Sequence, residues 1–436
     1  MIEIFSIFLS FLIFLLTTLV PLQINLRNLR DIKNILDKLI YNLILNLNFL
    51  FLLSVLPINI SQYCLLLAII YLLLFFYKYF IVNFNIGRIV NLFLFFLIPG
   101  FVFISFAMII ANKLNLGWDA KYFYYIKSLF FFDGLSLESL NNFEHNKWHP
   151  HLGSFYWGFF WYLSPLKIEY YGRLFYLFIY CISIFYLTQK IFNKKIIANI
   201  LFIIVSLALF KYERFSGLQE ILIFSLLIIS SYFVAYSSTN NKFYILFIIL
   251  ISNLILWIKS EGIVYILIIL LCLMLNISIN KRLKFITLIS FASIILFKYL
   301  IYHKYSFIYN AQPYNMDYLR SLNINVLSDR IKYIVPYLGY YSLKNYIFSL
   351  GVIILFYKNI FNKNKIYLLS FNIFAILNIL FIFLAYLTRE IEILYSIKTT
   401  MERIVFTSSG FYLFLILSMI NEKIKIKKKW NLYSVI

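Results

Sequence analysis

Long apolar runs are the feature that most constrains the fold of this chain. Runs of about 20 residues recur along the whole length of the 436-residue sequence, and about 20 residues is the length at which an α-helix crosses the core of a lipid bilayer. Only 13% of the residues are charged, against about 25% in soluble domains. A water-soluble globular fold is thereby excluded, and we predict an all-α polytopic membrane protein.

Polar breaks separate the apolar runs and predict about 13 transmembrane helices in a single membrane domain. The runs cover residues 4–22, 40–58, 63–83, 89–111, 171–188, 196–210, 217–237, 243–258, 262–279, 285–302, 344–357, 366–387 and 404–420. The chain is thus divided into an N-terminal four-span segment (1–111), a large outer loop with interfacial helices (112–170), the remaining transmembrane bundle (171–420) and a basic cytoplasmic tail (421–436).

The net charge of +22 comes from 39 Lys and Arg residues against 17 Asp and Glu residues. On a soluble protein such an excess would favour nucleic acid as a partner. If the N-terminus lies outside, the inner segments hold 21 of the basic and three of the acidic residues, which leaves +18 inside and +4 outside. This division follows the positive-inside rule. We therefore interpret the charge as a signal of orientation and expect no nucleic-acid partner.

The outer loop begins with a carboxylate at the point where the chain leaves its fourth predicted span. Asp119 precedes an aromatic stretch, Ala120 to Phe132, that also carries Lys121 and Lys127 and predicts a helix lying along the membrane interface. Two interpretations of Asp119 carry equal weight. It is either the N-cap of that helix or a catalytic base or metal ligand at the membrane surface.

Three of the four histidines follow in the same loop, at positions 145, 149 and 151. They are interpreted either as interfacial polar residues or as a weak metal site. Pro150 restricts His149 to an extended conformation, and we expect this to present the imidazole beside an aromatic platform from Phe155 to Trp161.

Further ionisable residues lie at the outer ends of later spans. Glu220 sits about one turn into an apolar run, where a charge is costly and usually functional; otherwise it pairs with Arg214 at the interface. Lys259 and Glu261 form either a weak surface pair or a phosphate-binding turn. Arg403 enters the last span and either snorkels to lipid phosphate or clamps a specific phosphate.

All of these residues fall on the outer face in the orientation that the charges predict. An acid, histidines and several cations at this depth suit a lipid-linked phosphate whose head group reacts outside. The cations would neutralise the phosphate leaving group, and the carboxylate would deprotonate an acceptor hydroxyl.

These residues resemble the C-type, polyprenyl-phosphate-dependent glycosyltransferases, near the branch of the protein O-mannosyltransferases and aminoarabinose transferases. Asp119 and the run His149-Pro150-His151-Leu152-Gly153 match the carboxylate of that family and its His-Pro-Pro-Leu-like motif some thirty residues later. The stretch from Arg214 to Glu220 resembles the acidic position at the outer boundary, and Lys259-Ser260-Glu261-Gly262 resembles a Lys-x-x-Gly-type turn.

The resemblance implies a bundle of about eleven to thirteen spans with two interfacial helices in the first loop. It also implies an inverting transfer of a sugar from a polyprenyl phosphate to an acceptor hydroxyl on a lipid, a glycan or a protein. Asp119 would be the base, Glu220 a second catalytic carboxylate, and Lys259 and Arg403 phosphate ligands. His149, His151, Glu261 and Arg214 complete the expected substrate-binding set.

The expected location is the cytoplasmic membrane, with the active site on its periplasmic or extracellular side. No cofactor is identified from the residues, and a divalent metal ion stays an open alternative. Two other functions also stay open. A polysaccharide polymerase or ligase would depend on Arg320 and Arg330 in the outer segment 303–343, whereas a flippase or transporter of lipid-linked sugars would leave its substrate covalently unchanged.

Overall fold

The chain folds into helices that group into two compact units. The computed structural model describes residues 2–19, 32–56, 58–81, 86–142, 149–307, 324–361, 367–389 and 392–433, and within these ranges the chain forms helices and turns without a strand. The all-α prediction is confirmed. Unit 1 comprises Met1–Leu222, Trp257–Ser260 and Lys298–Phe307, and unit 2 comprises Ile223–Leu256, Glu261–Phe297 and Ile308–Ile436.

The single membrane domain expected from the sequence stays a prediction. Among the described residues, three helices contribute to both units: α9 (Glu220–Tyr236), α10 (Lys242–Ile258) and α12 (Lys281–Lys304).

Unit 1 is built from the first eight helices. They are α1 (Ile2–Leu19), α2 (Ile32–Val55), α3 (Ile60–Ile81), α4 (Ile86–Lys113), α5 (Tyr125–Phe132), α6 (Leu152–Leu163), α7 (Tyr170–Ile191) and α8 (Lys195–Leu209). Helices α5 and α6 both lie in the large outer loop, as expected for its two helices. Their position relative to a membrane stays a prediction.

Helix α7 forms the centre of unit 1 and is enclosed by α1, α2, α4, α6 and α8. Phe175 stacks on Phe160 of α6 with ring centroids 3.9 Å apart, and Phe14 of α1 meets Phe175 edge-on at 5.6 Å. Each such aromatic pair contributes about 0.5–1.5 kcal/mol beyond the area that it buries. This packing joins α7 to α6, a helix of the segment 112–170.

Unit 2 contains the remaining helices. After α11 (Gly262–Met274) come α13 (Ile324–Lys344), α14 (Tyr346–Phe361), α15 (Tyr367–Leu387), α16 (Ile393–Ser396) and α17 (Glu402–Tyr433). Phe374 of α15 stacks on Phe411 of α17 at 3.9 Å. Helices α11 and α15 exchange two hydrogen bonds, from the Cys272 thiol to the Ser370 carbonyl and from the Ser370 hydroxyl to the Cys272 carbonyl.

Each of the 13 apolar runs overlaps a helix, but the helices differ in length. Among the described residues, six helices are long and apolar enough to cross a membrane, and a seventh span results if the pair Val326–Lys344 and Tyr346–Ile360, bent by 94°, counts as one. Helices α8 to α11 have 13 to 17 residues, and at 1.5 Å per residue they fall short of a core about 30 Å thick. The lengths of the described helices therefore support fewer than 13 transmembrane spans.

Candidate functional site

The Asp119 segment is helical from its start. Asp119 is half-buried, has helical dihedrals (φ −60°, ψ −37°) and leads into a π-helix at Ala120–Tyr124 that continues as α5. Its side chain makes no capping hydrogen bond, so the N-cap interpretation is wrong. A capping residue needs an extended backbone to reach the free amides of the first turn, and the backbone of Asp119 has already entered the helix.

A tight turn at 216–218 holds this segment in place. The amide of Gly117 donates to the carbonyl of Ser216 at 2.9 Å. Gly217 has φ +88°, and a Cβ atom there would lie 2.8 Å from the Cβ of Ala120 and 2.6 Å from the Trp157 ring. Only glycine fits this conformation and this space. Since the turn continues directly into Gln219 and Glu220, it links the Asp119 segment to the start of α9.

Glu220 forms a buried ion pair with Lys259. The Lys259 Nζ lies 2.8 Å from the Glu220 Oε1, and the two side chains are 14% and 5% exposed. The ion pair joins the start of α9 to the end of α10. Arg214, the partner that sequence reasoning considered for Glu220, donates from Nη1 to the carbonyl of Leu209 at 2.6 Å.

Gln219 joins the histidine motif to the same ion pair. In the amide orientation that satisfies both of its groups, Gln219 donates to the carbonyl of Ile258 at 2.5 Å and accepts from the amide of Ser154 at 3.2 Å. A Cβ atom on Gly153 would lie 2.4 Å from the Gln219 Cδ. The glycine that ends the His-Pro-His-Leu-Gly run therefore makes room for the glutamine beside Glu220.

His151 is buried and neutral. Its Nε2 lies 3.0 Å from the hydroxyl of Ser54, and its ring centroid lies 5.4 Å from that of Trp257. Burial, together with the positive charges of Lys127 and Lys298, lowers the pKa of His151 to about 3. A neutral imidazole at this position orders the motif but supplies no positive charge.

Among the described residues of the outer loop, Lys127 is the most deeply buried cation. The residue has no exposed surface, and its Nζ donates to the carbonyl of His149 at 2.7 Å. Burial lowers the pKa of Lys127 from its ordinary value of 10.5 to about 7. The His149 ring, which is half-buried, packs against Phe123 with centroids 4.9 Å apart.

The aromatic residues from Phe155 to Trp161 do not form the exposed platform that was expected beside His149. Phe155, Tyr156, Trp157, Phe159, Phe160 and Trp161 are all buried in the core of unit 1. Because a helix that is apolar all round is covered on every side, α6 packs its rings inward and does not offer them to a ligand.

Lys298 is a further cation near His151 that the sequence did not single out. Its Nζ lies 5.8 Å from the ring centroid of Trp257 and 5.2 Å from that of Tyr302. Lys298 falls inside the predicted span 285–302. The rule that singled out Glu220, an ionisable residue within an apolar run, would also have found this lysine.

Glu169 and Arg173 form a further ion pair at the N-terminal end of α7. The Arg173 Nε and Nη2 atoms donate to the two carboxylate oxygens at 2.8 and 2.9 Å, and Arg173 is wholly buried. Arg173 also donates to the carbonyls of Phe215 and Leu114, both at 3.4 Å. Burial raises the pKa of Glu169, and the guanidinium partly offsets this rise.

Two predicted site residues belong to unit 2. Glu261 is half-buried at the N-cap position of α11 and makes no capping hydrogen bond there. Arg403 is half-buried in the first turn of α17, next to Glu402, which pairs with Lys344 at 2.8 Å. Unit 1 holds the other six predicted residues: Asp119, His149, His151, Arg214, Glu220 and Lys259.

Metal ligands do not cluster among the residues that the structure describes. No group of three or more His, Cys, Asp or Glu side chains there could hold a metal ion, and His145 lies outside the described ranges. The metal site considered from the sequence therefore stays a prediction.

The chain was compared with protein-family models, with curated proteins and with solved structures. No family model, no curated protein and no solved structure matches the chain.

Proposed function

We propose that the chain is a membrane glycosyltransferase that moves a sugar from a polyprenyl phosphate to an acceptor hydroxyl on the extracytoplasmic face. One observation carries the proposal: in unit 1 a single turn, 216–218, joins the half-buried Asp119 segment to the buried Glu220–Lys259 pair. A carboxylate and a cation are the two groups that such a transfer requires.

The phosphate side of the reaction is supported by three lysines, of which Lys259 was already expected from the sequence to contact phosphate. Lys127 and Lys298 both lie close enough to His151 to lower its pKa. The His151 ring also contacts Trp257, and Lys259 is two residues after Trp257 in the chain. Cations held in a partly buried site stabilise negative charge better than they do in water. Lys259 and Lys298 would neutralise the charge that develops on the departing phosphate.

The acceptor side depends on Asp119. Its carboxylate would accept the proton of the acceptor hydroxyl while the acceptor oxygen forms a bond to the anomeric carbon of the sugar. The bond from that carbon to the phosphate oxygen breaks at the same time, and its electron pair stays on the polyprenyl phosphate. Attack from the face opposite to the phosphate inverts the anomeric configuration.

The test replaces the proposed base by its amide. We expect Asp119→Asn to lower transfer at least a hundredfold, since an amide cannot accept the proton, and general-base catalysis contributes about 10²–10⁴ in rate. Transfer is measured with radiolabelled polyprenyl-phosphate hexoses and pentoses, with membranes of the expressing cells as acceptor.

Asp133→Asn is the matched control. Asp133 is an exposed carboxylate of the same loop, at the end of α5, and its variant should transfer sugar like the wild type. Full activity of Asp119→Asn, or equal loss in both variants, would rule out Asp119 as the base. Movement of the labelled lipid across vesicles without a new covalent product would favour the flippase.

The polymerase alternative has less support from the described residues. Arg330 is 7% exposed and donates from Nη1 to the carbonyl of Leu387 at 3.0 Å, so it stabilises the C-terminal end of α15. Arg320 lies outside the described residues. We therefore retain glycosyl transfer as the proposal.

A further inference from the structure

A cavity of about 700 Å³ lies beside the Asp119 segment. Its walls are Leu114 and Leu116 at the end of α4, Lys121, Tyr122 and Tyr125 on the helical stretch after Asp119, and Glu169 before α7. Its volume is within the range of small-molecule sites, roughly 300–1,000 Å³. We propose that this cavity binds the acceptor and that the acceptor is a saccharide. The assignment to an acceptor rests on the proposed function.

The carboxylate in the wall is held in one orientation. Both oxygens of Glu169 accept hydrogen bonds from Arg173, and the Glu169 side chain keeps 19% of its surface exposed while Arg173 keeps none. Two parallel bonds from a guanidinium fix the plane of a carboxylate. Burying an arginine costs free energy. Here the buried Arg173 holds the Glu169 carboxylate in a fixed orientation, in which it can accept hydrogen bonds from sugar hydroxyls.

Arg173 also orders the opposite wall of the cavity. Its Nη2 donates to the carbonyl of Leu114, the residue where the chain leaves α4 and turns towards Asp119. One buried side chain thus connects Glu169 with the segment that carries the proposed base. This connection favours a preformed site.

Aromatic rings supply the second element of a sugar site. Tyr122 is 47% exposed, and Tyr125 stacks on Trp161 with centroids 6.1 Å apart and an angle of 21° between the rings. The C–H faces of a sugar ring can pack on such rings while its hydroxyls bond to charged groups. Lys121 is an exposed residue in the same wall. Its ammonium group can donate hydrogen bonds to sugar hydroxyls, whereas the Glu169 carboxylate can accept them.

The cavity is adjacent to the proposed base along one helix. Asp119 has helical dihedrals, and Tyr122 follows it by three residues. The turn between them is π-helical, and the Tyr122 ring packs against that of Trp118, the residue before Asp119, with ring centroids 4.9 Å apart. A sugar packed on Tyr122 would therefore hold one of its hydroxyls close to Asp119.

The test measures binding in the absence of any donor lipid. The purified full-length chain in detergent is applied to an array of mono- to hexasaccharides that end in hexoses, aminohexoses or pentoses, and the best-bound saccharide is titrated by calorimetry. We expect at least a tenfold rise in Kd for Tyr122→Ala and for Leu116→Trp, which places an indole ring in the cavity. Tyr340→Ala removes a similarly exposed tyrosine of unit 2, 57% against 47%, and should bind like the wild type.

The outcomes separate the two proposals. Wild-type protein that retains no saccharide, or Tyr122→Ala and Leu116→Trp variants that bind as tightly as the wild type, would overturn the cavity assignment. Asp119→Asn should still bind the saccharide because it changes the base and not the cavity. If saccharide binding depends on Tyr122 but Asp119→Asn leaves transfer unchanged, the saccharide site stands and the proposed function fails.

Discussion

At the residue scale, burial changes the chemistry of the outer-loop cations and histidines. Lys127 stands in an aromatic stretch that predicts an interfacial helix, where a lysine is expected at the polar surface. In the fold it has no exposed surface and donates to the His149 carbonyl. Its pKa falls to about 7, so near neutral pH Lys127 exchanges a proton that surface lysines keep.

The pH dependence of stability tests this assignment. Between pH 7 and 10.5 the unfolded chain still carries the Lys127 proton while the folded chain has lost it. Stability therefore rises with pH in this window, by up to about 1.4 kcal/mol per pH unit for one group. We expect Lys127→Met to remove this contribution, measured as the slope of thermal unfolding temperature against pH from 7 to 9 in detergent.

Lys121→Met is the control, since Lys121 lies in the same stretch but is exposed. Its slope should equal that of the wild type because an exposed lysine is solvated in the folded chain as it is in the unfolded chain. A Lys127→Met variant that keeps the full wild-type slope would contradict the burial of this ammonium group.

At the scale of elements, the turn at 216–218 decides how the site is assembled. It positions the Asp119 segment against the start of α9 through the Gly117–Ser216 hydrogen bond and the close contact at Gly217. Sequence reasoning recognised Glu220 because a carboxylate in an apolar run is unusual. It did not recognise the turn, because three small or apolar residues carry no chemical signal of their own.

Gly217→Ala should destabilise unit 1. A side chain at φ +88° is strained, and its Cβ atom would lie 2.6 Å from the Trp157 ring. We expect the free energy of unfolding to fall by at least about 2 kcal/mol, as left-handed strain and overpacking add. Thermal or denaturant unfolding in detergent measures the change.

Gly339→Ala is a control that we expect not to lower the stability. Gly339 lies inside α13, and a Cβ atom there would meet nothing within 4 Å. Alanine is the better helix former by about 1 kcal/mol, so this variant should be at least as stable as the wild type. Equal stability of the two alanine variants would show that the turn at 216–218 tolerates a side chain.

At the scale of the whole molecule, charge distribution predicts the orientation. Lys194 lies between α7 and α8 in a basic cluster, and Glu138 lies in the outer loop; both are exposed. In a chain whose three cysteines are replaced by alanine, we expect a membrane-impermeant maleimide to label Glu138→Cys in intact spheroplasts. Lys194→Cys should react only after permeabilisation, and the reverse pattern would invert the predicted topology.

The number of spans was less predictable than the position of the helices. Apolar runs locate helices well because hydrophobicity is a local property of the chain. They do not show where a helix ends, and α11, with 13 residues, is too short for the span that its run of 18 residues suggested. Helix ends depend on turns and on packing partners elsewhere in the sequence.

The sequence by itself determined that the chain is helical and apolar, where its basic clusters lie, and that Asp119 and Glu220 stand at unusual positions. Only the tertiary structure decided that Glu220 pairs with Lys259, 39 residues away, and that His151 meets Ser54, 97 residues away. It also revealed the buried Lys127 and the Glu169–Arg173 pair beside a cavity. Hydrophobic runs act locally, whereas burial and ion pairing depend on which distant segments pack together.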